Sequence, residues 1–147
     1  MRQVLLGADH AGFSLKEKVK AHLCDRVRDC SAVLVPEDDY PDVAVAVAAE
    51  AARTGCFAVL VCGSGQGMCI AANKVTGVRA ALARDVGDAV IARQDNDANV
   101  LCLGGRFTSS RVACRVVDAF LSTPFAGKKK GGERHARRLS KLAALDA

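Results

Sequence analysis

A cysteine followed by closely spaced glycines gives the sequence its clearest chemical signal. In VLVCGSGQGMCIAANK (residues 59–74), an apolar run ends at Cys62, and Gly63, Gly65 and Gly67 follow at every second position. Glycines leave backbone N–H groups open to a ligand, so such a turn can hold an anion ahead of a helix. The same field would stabilise a thiolate over a thiol. The stretch therefore predicts a reactive cysteine beside an anion-holding turn.

Three known phosphate-binding loops do not match this turn. The dinucleotide fingerprint GxGxxG would need a third glycine where Met68 stands, and no stretch of the chain has the GxxxxGK[ST] pattern. A phosphatase-type Cys-x5-Arg loop would need arginine at the same position. A thiolate beside N–H donors suits either acyl transfer or removal of a proton next to a carbonyl. Proton removal is favoured because no histidine lies near Cys62 in sequence, and an inert thiol in a tight turn is the non-catalytic alternative.

Other chemically capable residues also follow apolar runs. Asp9 and His10 come after QVLLGA, and Arg106 comes after ANVLCLGG. In a parallel sheet, ligands bind beyond the carboxyl ends of the strands. These three residues are therefore expected near Cys62.

Strand-like and helix-like patterns alternate along the whole chain. The strand-like runs are 3–8, 30–35 (the most ambiguous), 57–62, 77–82 and 98–105. The helix-like stretches are 11–27, 38–55, 68–74, 84–96, 109–122 and 133–145. This alternation predicts an α/β fold with three α/β/α layers, in which helices cover both faces of a Rossmann-like, doubly wound, parallel five-stranded sheet.

Composition sets the broad class of protein. The 147 residues predict a single domain over 1–147, half of its residues are apolar, and no apolar run approaches the ~20 residues of a membrane span. The N-terminus has no signal-peptide pattern, so a cytoplasmic location and no membrane partner are expected. The seven cysteines form no CxxC pair, which argues against a disulfide framework or a zinc site.

All of the net charge of +5 lies near the C-terminus. Residues 1–125 carry 14 basic and 14 acidic side chains, whereas residues 126–147 carry seven basic and two acidic ones. A nucleic-acid-binding tail would fit the charge. Residues 126–147 include no Phe, Tyr or Trp for base stacking, and leucines at 139, 142 and 145 are typical of a docked helix. We therefore expect a basic helical arm and no nucleic-acid partner.

Five motifs, in order along nearly the whole chain, resemble one family. They are GADHAGFSLK, DDYPD, VCGSGQGMCIAANKVTGVRAAL, ARQDNDANVLCLGGR and GGERHARR. Together they resemble the type B ribose-5-phosphate isomerases, a family that includes galactose-6-phosphate isomerase subunits. The resemblance implies an aldose–ketose isomerase that uses no metal or organic cofactor. It also implies a homodimer or higher homo-oligomer with shared active sites.

The resemblance assigns the cysteine turn to proton transfer. Cys62 corresponds to the base that moves a proton between C2 and C1 of an open-chain sugar phosphate. Ser64, with the N–H groups of Gly63, Gly65 and Gly67, corresponds to the group that stabilises the enediolate.

The remaining family positions surround the sugar and its phosphate. Asp9 and His10 correspond to residues that contact sugar and phosphate, and Asn96 corresponds to a residue beside the sugar. Arg106 corresponds to a phosphate ligand.

Two arginines in the C-terminal motif correspond to residues that a partner subunit supplies. They are Arg134 and Arg138, and the motif here has one extra residue before the first of them. Their i, i+4 spacing places both on one face of a helix, so both could reach one phosphate. The C-terminal helix is therefore expected to extend to the partner.

One position departs from the family pattern. The family usually has RxHN, in which histidine opens the furanose ring, whereas this chain has RQDN with Asp95. Asp95 could perform ring opening at an altered pH optimum, since an ionised carboxylate accepts but does not donate a proton. Alternatively, another group or the solution opens the ring, or the substrate never cyclises.

The sequence thus predicts interconversion of ribose 5-phosphate and ribulose 5-phosphate by thiolate-mediated proton transfer. The alternatives are an isomerase for galactose 6-phosphate, allose 6-phosphate or a tetrose phosphate, and a non-catalytic sugar-phosphate-binding paralogue.

Overall fold

The computed structural model describes residues 3–146. Its strands are β1 Val4–Ala8, β2 Val27–Asp29, β3 Ala58–Cys62, β4 Ala80–Leu82 and β5 Val100–Gly104. Its α-helices are α1 Phe13–Leu23, α2 Tyr40–Thr54, α3 Gln66–Ala72, α4 Val86–Asn96, α5 Ser110–Ser122 and α6 Glu133–Ala143.

All five strands join one parallel sheet in the order β2-β1-β3-β5-β4. One apolar layer packs α1, α4 and α5 against the sheet, and a second packs α2 and α3 against the opposite face. The predicted three-layer, doubly wound α/β fold is therefore confirmed.

The central strand β3 explains why its sequence lacks alternation. Val59 and Val61 belong to the layer with α1, α4 and α5, whereas Leu60 and Cys62 belong to the layer with α2 and α3. A strand covered on both faces needs apolar residues at every position. Cys62 ends this strand with its side chain in the α2–α3 layer.

The predicted second strand is wrong. Residues 30–35 form no strand, and β2 instead ends at Asp29. The Asp29 carboxylate accepts the N–H of Ser31 at 3.1 Å, a local turn that takes the chain out of the sheet. Val33 is 76% exposed and Val35 is 52% exposed, so this apolar run packs into neither layer.

Helix ends follow local sequence signals. Pro41 lies in the first turn of α2, and Gly55 ends that helix with a positive φ of 67°. Asp85 and Ser109 cap α4 and α5 by accepting backbone N–H groups. The short helix α3 begins at Gln66, two residues before the predicted start.

The basic arm is described as far as Asp146, and it folds into α6 and short 3₁₀ turns on either side. Asp146 accepts the N–H of Gly77 at 2.9 Å, which ties the end of the arm to the loop before β4. Within residues 3–146, no helix combines the length and the apolar character needed to cross a bilayer.

Candidate active site

A cavity of about 210 Å³ opens at the carboxyl ends of β1 and β3. It is lined by Asp9, His10, Ala11, Tyr40, Cys62, Gly63, Ser64, Gly67 and Arg106. The chain leaves β1 towards α1 on one face and leaves β3 towards α3 on the other. A crevice between two such diverging connections is the usual ligand site of an open α/β sheet.

Cys62 lies at the base of this cavity. It is 4% exposed, and its sulfur accepts the N–H of Gly65 at 3.1 Å. The turn thus directs a backbone donor at the sulfur. Gly65 has a φ of +78°, and a Cβ atom added there would lie 2.8 Å from the carbonyl carbon of Leu103. Only glycine fits both restraints, so the turn is built to place this N–H at the sulfur.

Arg106 is held over the glycine turn. Its backbone N–H donates to the carbonyl of Gly63 at 3.0 Å, and the N–H of Gly105 donates to the carbonyl of Cys62 at 2.7 Å. These bonds join the loops after β5 and β3. They bring the Arg106 guanidinium to the rim of the cavity.

His10 is fixed by a carboxylate from the segment before α2. Oδ1 of Asp38 accepts both the backbone N–H of His10, at 2.8 Å, and its ring Nδ1, at 2.9 Å. The hydrogen bond to Asp38 is the main reason that the pKa of His10 is raised above its ordinary value of 6.5, and the charge of Asp9 adds to the effect. The ring is therefore biased towards its cationic form.

Asp9 is buried at the start of the first loop. Its Oδ1 accepts the N–H of Gly12 at 2.9 Å, and its own N–H donates to Val61 at 3.3 Å. A Cβ atom at Gly12 would lie only 2.0 Å from the carbonyl oxygen of Val61, so the loop can pass here only with glycine. This close packing places the carboxylate beside the end of β3.

Of the predicted site residues, Gly65 reaches the site only through its N–H at the Cys62 sulfur, and four others lie away from both the cavity and the glycine turn. Asn96 borders a separate cavity of about 450 Å³ between the β4 region and α6. Asp95 lies with its Oδ1 3.8 Å from Nε2 of the buried His135. Arg134 and Arg138 are exposed on α6, and Nη1 of Arg134 donates to the carbonyl of Gly131. The chain thus carries two groups of predicted residues, one at Cys62 and one around α6.

Sequence reasoning gave no site role to Tyr40. The ring of this residue lines the Cys62 cavity, and a Cβ atom at Gly67 would lie 2.6 Å from it. Its position in DDYPD, on the connection from the second strand to α2 and at the start of that helix, could have placed it at this edge of the sheet.

The groups around Cys62 suit the isomerisation of a phosphorylated sugar. A sulfur, a carboxylate and a hydroxyl lie beside two cationic side chains. A family model described as Ribose/Galactose Isomerase matches residues 4–142. The chain belongs to this family. The resemblance to type B ribose-5-phosphate isomerases is thereby confirmed.

Curated members of the Ribose/Galactose Isomerase family match nearly the full chain. Ribose-5-phosphate isomerase B of Mycobacterium tuberculosis is 41% identical over 149 residues, covering 98% of this chain and 90% of the relative. Ribose-5-phosphate isomerase B of Escherichia coli is 37% identical over 153 residues, covering 99% of this chain and 97% of the relative.

Solved structures of family members share the fold. The type B ribose 5-phosphate isomerase of Trypanosoma brucei superposes with a TM-score of 0.90 at 43% identity, covering 99% of both chains. Ribose-5-phosphate isomerase B of Mycoplasma genitalium, solved with bound ribulose-5-phosphate, superposes with a TM-score of 0.89 at 37% identity. That match covers 98% of this chain and 95% of the other.

Proposed function

We propose that this chain interconverts ribose 5-phosphate and ribulose 5-phosphate, with Cys62 as the group that moves the proton. The observation that carries the proposal is the position of the Cys62 sulfur. It lies at the base of a cavity whose rim holds His10 and Arg106. Relatives that carry the name ribose-5-phosphate isomerase B over nearly the full chain support the choice of substrate.

The chemistry begins with the open-chain aldose phosphate. The Cys62 thiolate takes the proton from C2, and the C2 electrons form the C1–C2 double bond of an enediolate as the C1 oxygen gains the negative charge. The thiol then returns the proton to C1, while the proton of the C2 hydroxyl leaves and a ketone forms at C2. No electron leaves the substrate, which is why the step needs no redox cofactor.

Neighbouring groups support this charge movement. The Gly65 N–H stabilises the thiolate before the transfer. The Ser64 hydroxyl and the N–H of Gly63 are in place to donate to the enediolate oxygens. The Asp9 carboxylate, buried beside them, accepts the proton of the C2 hydroxyl and passes it to the C1 oxygen, which becomes the C1 hydroxyl of the ketose.

His10 and Arg106 bind the phosphate. A dianion between an imidazolium and a guanidinium gains charge-assisted hydrogen bonds, and this binding orients C1 and C2 at the sulfur. Both cations lie on loops whose backbones are hydrogen-bonded into the site. The substrate is thus held at its phosphate end while the reacting carbons face Cys62.

A second copy of the chain completes the site. Arg134 and Arg138 are exposed on α6 and do not line the Cys62 cavity of their own chain. The apolar face of the arm is also uncovered in part, since Leu142 is 45% exposed and Leu145 is 80% exposed. We therefore place the two arginines, with Asp95 and Asn96, in the cavity of a partner subunit. The cytoplasmic location and the single-domain organisation stay predictions.

Hydrogen exchange with solvent tests the assignment. In D₂O, wild type should incorporate deuterium into ribulose 5-phosphate at C1, and Cys62→Ala should lose about 10³-fold in rate. Cys114→Ala, a partly buried cysteine on α5, is the matched control and should keep full activity. Galactose 6-phosphate, allose 6-phosphate and erythrose 4-phosphate in the same assay test the alternative substrates. Binding of sugar phosphates without exchange would instead identify a non-catalytic paralogue.

A further inference from the structure

Asp38 makes a two-point contact with His10, and the family resemblance assigns no role to this aspartate. One oxygen of Asp38 accepts both the main-chain N–H and the ring Nδ1 of His10, at 2.8 and 2.9 Å. An ionised carboxylate only accepts hydrogen bonds, so Nδ1 carries the proton. The remaining ring nitrogen, Nε2, is thereby the one available to a ligand. A single carboxylate sets both the position of this ring and which of its nitrogens faces a ligand.

The burial of the two partners differs in a way that suits this role. The side chain of Asp38 is 17% exposed, whereas that of His10 is 41% exposed and borders the cavity. The contact also spans 28 residues of sequence, so it fixes the segment before α2 to the loop after β1. The carboxylate is the sheltered, supporting partner and the imidazole is the partner that faces a ligand.

The charges around His10 come from several elements. Asp9 on its own loop and Asp38 from the segment before α2 are negative, and both favour the imidazolium. Cys62 and Tyr40 border the same cavity, and Arg106 from the loop after β5 brings a positive charge. Asp38, with Asp9, thus keeps the ring cationic. A phosphate in the cavity would then meet two cationic groups, the imidazolium and the Arg106 guanidinium.

We propose that Asp38 is a positioning residue for phosphate binding: it holds the His10 ring charged, with Nε2 presented to the phosphate of the substrate. The inference rests on the proposed function, because it takes the ligand to be a sugar phosphate. The competing explanation is an ordinary surface ion pair, which would contribute little to stability and nothing to binding.

Replacement of Asp38 by asparagine removes the charge but keeps the size. An amide can accept from Nδ1–H or donate to Nδ1, so it no longer requires a proton on Nδ1, and it carries no charge to favour the imidazolium. We expect Asp38→Asn to raise KM for ribose 5-phosphate about tenfold, with kcat changed less than about twofold. The alkaline limb of kcat/KM that reports loss of the imidazolium should move to lower pH. Asp38→Glu should restore part of the binding and most of the pH profile.

Glu37→Gln is the matched control, because it removes one negative charge from the same segment at an exposed position. It should leave KM and the pH profile unchanged. A folded Asp38→Asn variant with wild-type KM and pH profile, or with a loss in kcat alone, would overturn the proposal.

NMR titration of the His10 ring with inorganic phosphate separates this proposal from the proposed function. In wild type, phosphate should shift the Nε2 resonance, and Asp38→Asn should weaken phosphate binding and lower the midpoint of the His10 titration. These results would support the role of Asp38 even for an enzyme with no ribose 5-phosphate turnover. An unchanged midpoint and unchanged phosphate affinity in Asp38→Asn would contradict it.

Discussion

The guanidinium of Arg106 lies directly against Gly63, so that a Cβ atom added at position 63 would come within 2.8 Å of Nη1. The atom it would meet is the end of a flexible side chain, which can move aside without disturbing the sheet. The main effect of a methyl group here is thus expected on the position of the cation and not on folding.

Gly63→Ala should raise KM for ribose 5-phosphate roughly tenfold, because the displaced guanidinium loses its aligned bonds to the phosphate. Circular dichroism melting should show a Tm within about 3 °C of wild type. Gly87→Ala, in the first turn of α4 and away from the cavity, is the control and should keep wild-type kinetics. An unchanged KM in Gly63→Ala would contradict the assignment of Arg106 as a phosphate ligand.

Mixed oligomers can reveal whether two subunits share a site. Cys62→Ala and the double variant Arg134→Ala/Arg138→Ala should each be nearly inactive alone. If the protein is a dimer and the two variants are coexpressed in equal amounts, half of the dimers are hybrids, and each hybrid has one intact site out of two. The mixture should therefore regain about a quarter of wild-type activity. Differently tagged subunits allow the hybrid dimer to be purified and assayed.

Arg137→Ala, also exposed on α6, is the control for the double variant and should remain active by itself. Failure of purified hybrids to gain activity over either parent would mean that each site is built from one chain.

Asp95 is expected to limit ring opening. An ionised carboxylate accepts a proton but cannot donate one to the ring oxygen, whereas an imidazolium can. Asp95→His should therefore raise kcat/KM for ribose 5-phosphate by roughly three- to tenfold between pH 6 and 7. Gln94→His, one residue away and exposed on α4, is the control. Unchanged turnover in Asp95→His would show that ring opening does not limit the rate.

A buried ion pair stabilises the region below the active-site loops. The Lys16 side chain is fully buried, and its Nζ donates to Asp29 at 2.8 Å, where Lys20 donates as well. Asp29→Asn should lower the free energy of unfolding by about 2 kcal/mol, because it removes the carboxylate charge that Lys16 and Lys20 share. Lys16 keeps its contacts with Glu17 and the Ser31 carbonyl. Lys18→Met, on the exposed face of α1, should change it by less than about 0.5 kcal/mol.

The pair also predicts how stability depends on pH. Burial alone would raise the pKa of Asp29, but the hydrogen bonds from Lys16 and Lys20 outweigh it and lower the pKa below the ordinary 3.8. A carboxyl with a lowered pKa stabilises the fold above its unfolded pKa, and this contribution is lost as the pH falls through the folded pKa. Urea unfolding should thus show the difference between wild type and Asp29→Asn in full at pH 7 and shrinking below about pH 4. A difference that stays constant to pH 2 would contradict this account.

Continuous apolar runs made most of the sheet predictable from sequence. β3 and β5 are buried on both faces, and a strand of that kind leaves an unmistakable pattern. The second strand was missed because its end depends on Asp29, whose carboxylate bends the chain at Ser31. Hydrophobicity alone placed the strand in the apolar run that follows.

The candidate site was predictable to the extent that its residues follow strands directly. Cys62 and Arg106 are of this kind, since strand order alone brings them together. The contact of His10 with Asp38 joins residues 28 positions apart, and that of Asp95 with His135 joins residues farther apart still. Such contacts depend on how irregular segments return to the sheet, which no local pattern encodes.

The early end of β2 leaves an irregular segment that is anchored at both ends. At its start, Ser31 accepts the N–H of Ala8 through Oγ at 2.9 Å, and at its end Asp38 binds His10 at 2.8 and 2.9 Å. The stretch between these anchors, residues 32–36, is exposed throughout. Longer loops cost little extra closure entropy. Insertions and deletions at 32–36 can therefore accumulate during evolution while the histidine stays in register with the sheet.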